Sequence, residues 1–503
     1  MVGIQRPAPL LYAVLGAAGT YYGLNLLHLA GVRWISGVGA GVCVLLGILS
    51  LCRVLACSPG LVFSDPLRSR RCRGINRHVM ALAAGLILGL CARAAVPYMI
   101  HLGLPQDRVT GISGVLREDP RELQDGRGMG YLELEGAAGK GGIRSSARGV
   151  VLVFFPSGAI PRLKEFGRGS AVYIEGSFVP PQSGGGSLFR ARSVHILAPA
   201  PAWEQFRTGI RLGLLDRLAP YAWGGLGAAL LLGIRDNLDT GLAQAYQYAG
   251  CSHVLALSGM HLAVLSGLLA FLLRRALGLR ASAMAGAVFV LAYVYLVGAQ
   301  ASLERAAIMY LLGTAALLGV LPRRPAFLLG LAFLIQLALR PASGDSLSFI
   351  LSYLALGGIL FIGQALHDLI RGPVPEVLAG PLSASLGAYT ATSAVSAAGF
   401  GVVRPIGIAA GLIIVPLTTL FMIGTLAWLA LEPLIPVLAR PVAAALSLVY
   451  ALLGRLVSLA ALVPGIVSRG PAVELALSLG AALLCICLRN RRLRWRNTLA
   501  PFP

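Results

Sequence analysis

Residues 254–300 read VLALSGMHLAVLSGLLAFLLRRALGLRASAMAGAVFVLAYVYLVGAQ. Two apolar runs, 254–273 and 281–300, flank the pair Arg274 and Arg275. Each run matches the ~20 residues a helix needs to cross ~30 Å of hydrocarbon, so the stretch predicts two membrane helices joined by a basic turn. The same pattern recurs downstream at 303–321, 326–339, 347–366, 381–400, 406–431, 441–463 and 471–488, and upstream at 10–31, 35–56 and 79–102. The chain is 57% hydrophobic and 12% charged, with a mean hydropathy of +0.78, which excludes an ordinary soluble domain. The first run lacks a clear small-residue cleavage site and more spans follow it, so it reads as a retained anchor. The expected fold is mainly α: a polytopic membrane protein of about 12 transmembrane helices.

Basic residues orient these spans. The net charge is +22, and lysine occurs only at Lys140 and Lys164, so the excess is arginine. Cytoplasmic loops collect arginine, and this explains much of the charge without invoking nucleic acid. Arg68, Arg70, Arg71, Arg73 and Arg77 are read as a cytoplasmic loop between the second and third spans, which puts the N-terminus inside. Threading onward keeps Arg274, Arg275, Arg323, Arg324, Arg371 and the arginines of the tail 489–503 inside as well. Both termini are then cytoplasmic. The eight cysteines show no paired spacing, so neither a disulfide scaffold nor a metal site is expected.

One more crossing puts residues 104–200 on the outer face, where glycine, arginine and serine separate short apolar runs. The runs at 109–116, 131–134, 150–155, 171–178 and 188–196 predict five strands, which suits a small β-barrel of the OB type inserted in the helical chain. Such barrels bind single strands by stacking, for which Tyr131, Phe154, Phe155, Tyr173, Phe178 and Phe189 are candidates. The competing reading makes most of them core, because alternation turns apolar residues inward. Residues 201–220 carry Arg207, Arg211 and Arg217 among apolar residues at helical spacing and predict an amphipathic helix along the membrane surface.

Within residues 221–250 the apolar run 223–234 is short for a span and Arg235, Asp236 and Asp239 follow it at once, so the segment either spans or takes a re-entrant path. Just after them lie His253, Ser258, Gly259 and His261, polar or small residues at the mouth of an apolar helix. Ionisable groups at membrane depth face a partner or water. The plain alternative is a hydroxyl bonded to its own backbone and a glycine that lets helices pack. Ser258 and His261 are helical neighbours and could be a nucleophile and base, but no acid follows to orient the imidazole. Glu304 and Arg305 lie inside another apolar run and form either a buried ion pair or part of a wet path. The span at 381–400 carries Ser385, Thr392 and Ser396 among other hydroxyls, which either pack helices closely or line a pore.

These residues resemble the ComEC competence proteins, the inner-membrane DNA channels of natural transformation. Gly250-Cys251-Ser252-His253 running into Leu255-Ala256-Leu257-Ser258-Gly259-Met260-His261 is similar to that family's Gly-x-x-His-Leu-Leu-Ala-Ile-Ser-Gly-Leu-His signature. In the same order, Arg305-Ala306-Ala307-Ile308-Met309 resembles its Arg-Ala-x-x-Met, and Phe349-Ile350-Leu351-Ser352-Tyr353 its Phe-Gln-Leu-Ser-Phe. Val415-Pro416-Leu417 is similar to the end of a weaker third block. Ile350 replaces the usual glutamine, Gly411 stands where asparagine is usual, and Glu304 occupies a position expected to be uncharged.

The resemblance implies passage of single-stranded DNA through the cytoplasmic membrane. It covers roughly residues 200–460 and agrees in order with the division read from the pattern: 1–103 N-terminal membrane helices, 104–200 outer-face barrel, 201–220 interfacial helix, 221–488 channel and 489–503 basic cytoplasmic tail. It also implies an outer-face DNA receptor and a cytoplasmic helicase as partners, besides the strand and membrane lipid. His253, Ser258, Gly259, His261 and Arg305 become the gate of the DNA path, with Glu304, Ser385, Thr392 and Ser396 as lining. Many relatives carry a metallo-β-lactamase-like nuclease domain, but the seven histidines contain no His-x-His-x-Asp-His run, so neither nuclease nor catalytic metal is expected. No cofactor is implied. Two rival readings are a secondary transporter of a small solute coupled through buried charges, and an intramembrane hydrolase using Ser258 and His261.

Overall fold

The computed structural model describes residues 9–29, 66–94, 100–123, 125–139, 143–179 and 188–467, with parts of 473–488. The expected second span at 35–56 and the tail 489–503 lie outside the described residues. Helix α1 (Pro9–Leu29) agrees with the first apolar run, and α2 (Pro66–Ala94) packs along it. Two expectations need correction here. Arg68 to Arg77 fall within α2 rather than in a loop, since arginine is a good helix former and can extend a span past its apolar part. The third span does not reach residue 102, because His101–Leu102 (β1) pairs with Arg148 and Ala147 of the sheet.

Residues 100–198 form a separate β-sheet unit. Strand β2 (Val109–Leu116) pairs antiparallel with both β4 (Gly128–Gly139) and β6 (Ala171–Val179), while the short β3 (Arg121–Glu122) edges β4. Strand β4 pairs with β5 (Arg144–Phe155), which runs parallel to β7 (Leu188–Ala198), and β7 pairs back onto β6. The circuit of pairings β2, β4, β5, β7, β6 therefore returns to β2. Alternation along these strands buries Ile112, Leu132, Val151, Val153, Val172 and Ile174, and α3 (Ile160–Phe166), between β5 and β6, adds Ile160 and Leu163 to that core. Phe155 and Phe189 belong to the core, so they are unavailable for stacking on a base, whereas Tyr131 is 41% exposed.

The rest is helical. Helix α4 (Ala202–Leu218) leads to α5 (Gly224–Leu232), α6 (Thr240–Tyr248) and the one-turn α7 (Ser252–Leu255). At 9 residues, α5 is about 14 Å long and cannot cross a bilayer. Almost all of it is buried among its neighbours, which suits a broken segment covered by protein. Then come α8 (Gly259–Val297), α9 (Ala301–Leu317), α10 (Pro325–Leu339), α11 (Leu347–Ile370), α12 (Glu376–Phe400), α13 (Ile406–Leu434) and α14 (Pro436–Ala461). A small ladder of β8 (Val402–Val403) and β9 (Ile466–Val467) closes this part. Among the described residues, four helices are long and apolar enough to cross a membrane: α8, α11, α13 and α14. This is a membrane protein, mainly helical, with a distinct β-sheet unit.

Helix α8 corrects the boundaries of the first-quoted stretch. The long helix begins at Gly259, with Val254 in the separate one-turn α7, and Arg274 and Arg275 are helical rather than in a turn. The break comes at Gly278, whose φ of 76° and ψ of 173° no residue with a side chain adopts cheaply. Its two arms fold back on each other. Gly233 touches Leu257, just before the first arm, and lies within 3.2 Å of Gln300 Nε2, just after the second, when a β-carbon is placed on it. Both ends of this hairpin therefore meet beside α5.

Candidate functional site

Ser258 is the N-cap of α8, in extended conformation at φ −128° and ψ 166°, as serine before an apolar helix favours. The His261 ring folds back over that end, where its Nδ1 accepts from the Ser258 backbone N–H at 3.2 Å and lies 3.2 Å from the hydroxyl. A ring nitrogen that accepts a backbone N–H leaves the proton on the other nitrogen. That Nε2 is buried and has no hydrogen-bond partner, in a residue only 1% exposed. No carboxylate completes a catalytic triad through His261, and Ser258 with His261 reads as a helix cap.

Next to the cap, Gly259 leaves room for Arg305 of α9. A β-carbon at Gly259 would stand 2.8 Å from Arg305 Nη2 and 3.1 Å from the Ala306 β-carbon. Arg305 donates through Nη1 to the Ser352 carbonyl of α11, and its guanidinium lies over the Tyr353 ring at 5.9 Å. Its Nε is buried without a partner. The three motif segments, far apart in sequence, thus meet at one guanidinium.

Glu304 does not pair with Arg305. Consecutive helical residues point apart, and Glu304 instead bonds Arg340 Nη1 at 2.9 Å and Gln336 Nε2 at 3.2 Å. Gln336 also accepts from the Tyr353 hydroxyl at 2.9 Å, which links the acid to the Arg305 cluster. His253 is exposed on α7 and makes none of these bonds. The expected lining of α12 is also different in part: Thr392 donates to its own helix at Ala388 O, 2.8 Å away. Helix α12 meets α11 where Gly387 approaches Gly358 and Gly363, beside a turn of π-helix at Ile359–Gly363. Small residues here permit close packing, as the plainer reading of that span expects. Ser385 and Ser396 are partly buried on the same helix. Among the described residues, no group of three His, Cys, Asp or Glu side chains could hold a metal ion.

Comparison with known proteins bears on this cluster. The family model described as "Competence protein" matches residues 230–493, more than half of the chain. The chain belongs to the competence protein family. No curated protein and no solved structure matches it.

The competence match begins within α5 and covers the whole motif cluster, while the sheet unit and α4 precede it. What joins the two parts went unread in the sequence. Arg207 of α4 donates Nη2 to Asp119 Oδ2 at 2.7 Å and Nε to the Tyr295 and Leu296 carbonyls at 2.8 and 3.0 Å. Arg211 donates to the Leu296 and Val297 carbonyls at 3.0 and 2.6 Å. Both arginines thus cap the C-terminus of α8, where the dipole and the free carbonyls favour cations. Glu204 takes up Arg168 of the sheet unit as a two-pronged pair.

Burial would raise the Asp119 pKa, but the bond from Arg207, the charges of Arg211 and Arg207, and the Arg168 N–H hold it below the usual aspartate range. The arginines of α4 therefore face protein, not solvent as the amphipathic reading implies, and the exposed side carries Trp203, Phe206 and Ile210. One sequence signal could have found this junction: in a chain with 20 acids against 42 bases, an acid in the sheet unit invites a search for its arginine.

Proposed function

We propose that this competence protein conducts a single strand of DNA across the cytoplasmic membrane. In this reading residues 104–200 form an OB-like barrel on the outer face, the chain crosses about 12 times, and both termini are cytoplasmic. The observation that carries the proposal is the meeting of the three motif segments at Arg305, at the end of the α8 hairpin that Arg207 and Arg211 tie to the sheet unit. A polyanion crossing hydrocarbon needs a protein-lined polar route. A guanidinium with an unbonded Nε, beside a helix N-terminus and a buried imidazole N–H, suits the passage of phosphates. The return of the strand circuit to β2, with a helix between β5 and β6, supports the OB-like barrel.

Gly259, Arg305, Ser258 and His261 form the gate in this proposal, and His253 stands at its outer rim. We infer no nuclease or other catalytic role, given the absence of a His-x-His-x-Asp-His run in the sequence. No Gly-x4-Gly-Lys-Ser/Thr loop occurs either, so the force comes from a gradient or another chain, and a cytoplasmic helicase and an outer-face receptor are the proposed partners.

The test is bulk at Gly259. Gly259→Leu pushes carbon into Arg305, so uptake of labelled DNA should cease while protein level and surface binding of DNA persist. Ser258→Ala removes a cap and should be milder, on the order of 1 kcal/mol in stability. Normal transformation by Gly259→Leu together with loss in Ser258→Ala would overturn the gate and favour a hydrolase.

A further inference from the structure

Lys164, one of two lysines in the chain, ties the sheet unit to the loop after α5. Its ammonium bonds Glu122 at 2.6 Å on β3 and Asp236 at 2.9 Å in that loop. These carboxylates are the sequence neighbours of Arg121 and Arg235. Both acids are engaged by Lys164. Arg121 retains a 3.6 Å contact with Glu118, with both side chains exposed, and the Arg235 side chain has no hydrogen-bond or ion-pair partner among the described residues.

Lys164 holds the two segments that carry these arginines together across the seam. Desolvation against the protein, with the charge of Arg121 added, holds Arg235 below the usual arginine range. Exposed arginines are ordinary on a solvated surface. Here, however, two of them come from different units whose segments a salt bridge joins, and among the described residues no acid pairs with the Arg235 side chain. The loop bearing Arg235 starts at Gly233, which touches Leu257 and approaches Gln300. The seam thus begins beside the residues that flank the two ends of α8.

We propose that Arg121 and Arg235 form a two-armed phosphate clamp, which takes the backbone of the incoming single strand at the seam before it reaches the gate. The clamp rests on the transport reading above. Guanidinium groups suit this work because their planar donors grip phosphate oxygens in pairs. Contact with the backbone rather than the bases leaves sequence unread, as a general uptake path requires.

Binding of a labelled oligothymidylate to the full chain in detergent, measured over a salt series, tests the clamp. Each phosphate contact on a single strand contributes ~0.7 to the slope of log affinity against log salt, so Arg121→Ala with Arg235→Ala should lower that slope by about 1.4. Arg121→Lys with Arg235→Lys keeps both charges and should retain the slope, which separates lost contacts from a damaged fold. An unchanged slope in the alanine pair overturns the clamp and leaves the transport reading standing. Loss of slope in the lysine pair equal to that in the alanine pair overturns the clamp too. A wild-type chain that binds no strand overturns both.

Discussion

Two clusters of charge, one at the junction with the sheet unit and one where the motif segments meet, are built by opposite rules. At the junction, Arg207 is 1% exposed and every arm of its guanidinium is engaged, by Asp119, Glu204 and the carbonyls at the end of α8. At the proposed gate, the Arg305 Nε and the His261 Nε2 are buried, yet neither has a partner. Buried polar groups are ordinarily satisfied, and each exception asks for a reason. Full pairing fixes two parts of the chain in one relation, while an unpaired donor costs stability and is useful where something charged passes. On the transport reading, the difference separates a structural charge from a working one within a single chain.

The sharpest way to break this comparison is to strip the junction of its acid. Asp119→Ala leaves Arg207 with only the longer 3.4 Å carboxylate contact, to Glu204, and should cost about 3 kcal/mol, since a buried charge that loses its better partner is expensive. The thermal midpoint of the purified chain measures it. A midpoint equal to wild type would mean that the junction contributes no fixation.

Acid sharpens the same point. The folded pKa of Asp119 lies below the ~3.9 of an unfolded aspartate, so its stabilisation is complete above that value and is lost as pH falls through the lower folded value. The midpoint difference between wild type and Asp119→Asn should therefore hold from ~pH 8 down to ~pH 5 and shrink below ~pH 4. A difference that grows toward acid pH would assign the stabilisation to another group.

The gate predicts the reverse pattern. Arg305→Ala should cut DNA uptake by roughly tenfold or more, a loss of ~1.4 kcal/mol in passage, while leaving protein level near wild type. It strands no acid, because Glu304 is held by Arg340 and Gln336. Arg340→Ala does strand Glu304, and here protein level should fall and recover when Glu304→Gln is added. If Arg305→Ala lowers protein level as much as Arg340→Ala, Arg305 is a structural charge like Arg207 and the contrast between the clusters collapses.

Much of this was legible in the sequence, for identifiable reasons. Apolar runs of membrane length announce helices, and strand β2 occupies the run at 109–116 because alternation between turns fixes both its ends. The motif residues were found because serine, glycine and histidine are conspicuous at the mouth of an apolar run. Partners were not legible. Glu304 lies in α9 and Arg340 just past the end of α10, and spacing favoured the adjacent Arg305. Nor does periodicity say which face of α4 is wet: three arginines among apolar residues suggest a solvated stripe, yet Arg207 and Arg211 turn toward an acid and a helix end. Gly278 was missed because two arginines beside it resemble a loop, whereas a single positive φ suffices to reverse the chain.

The smallest expected effect tests whether hydroxyls in an apolar span are themselves a sign of a pore. Thr392 donates to Ala388 O one turn back, a bond that satisfies the hydroxyl inside its own helix and asks nothing of a neighbour. Thr392→Val keeps the shape, removes donor and acceptor together, and should change stability by no more than about 0.5 kcal/mol. Uptake of labelled DNA should be unchanged. A wet path makes the other demand, since a valine presents an apolar wall to water and phosphate where a hydroxyl had offered a bond. A several-fold loss of uptake at normal protein level would therefore put α12 on the route. It would also show that a side chain with all its bonds made can still serve passage, which the contrast between Arg207 and Arg305 denies.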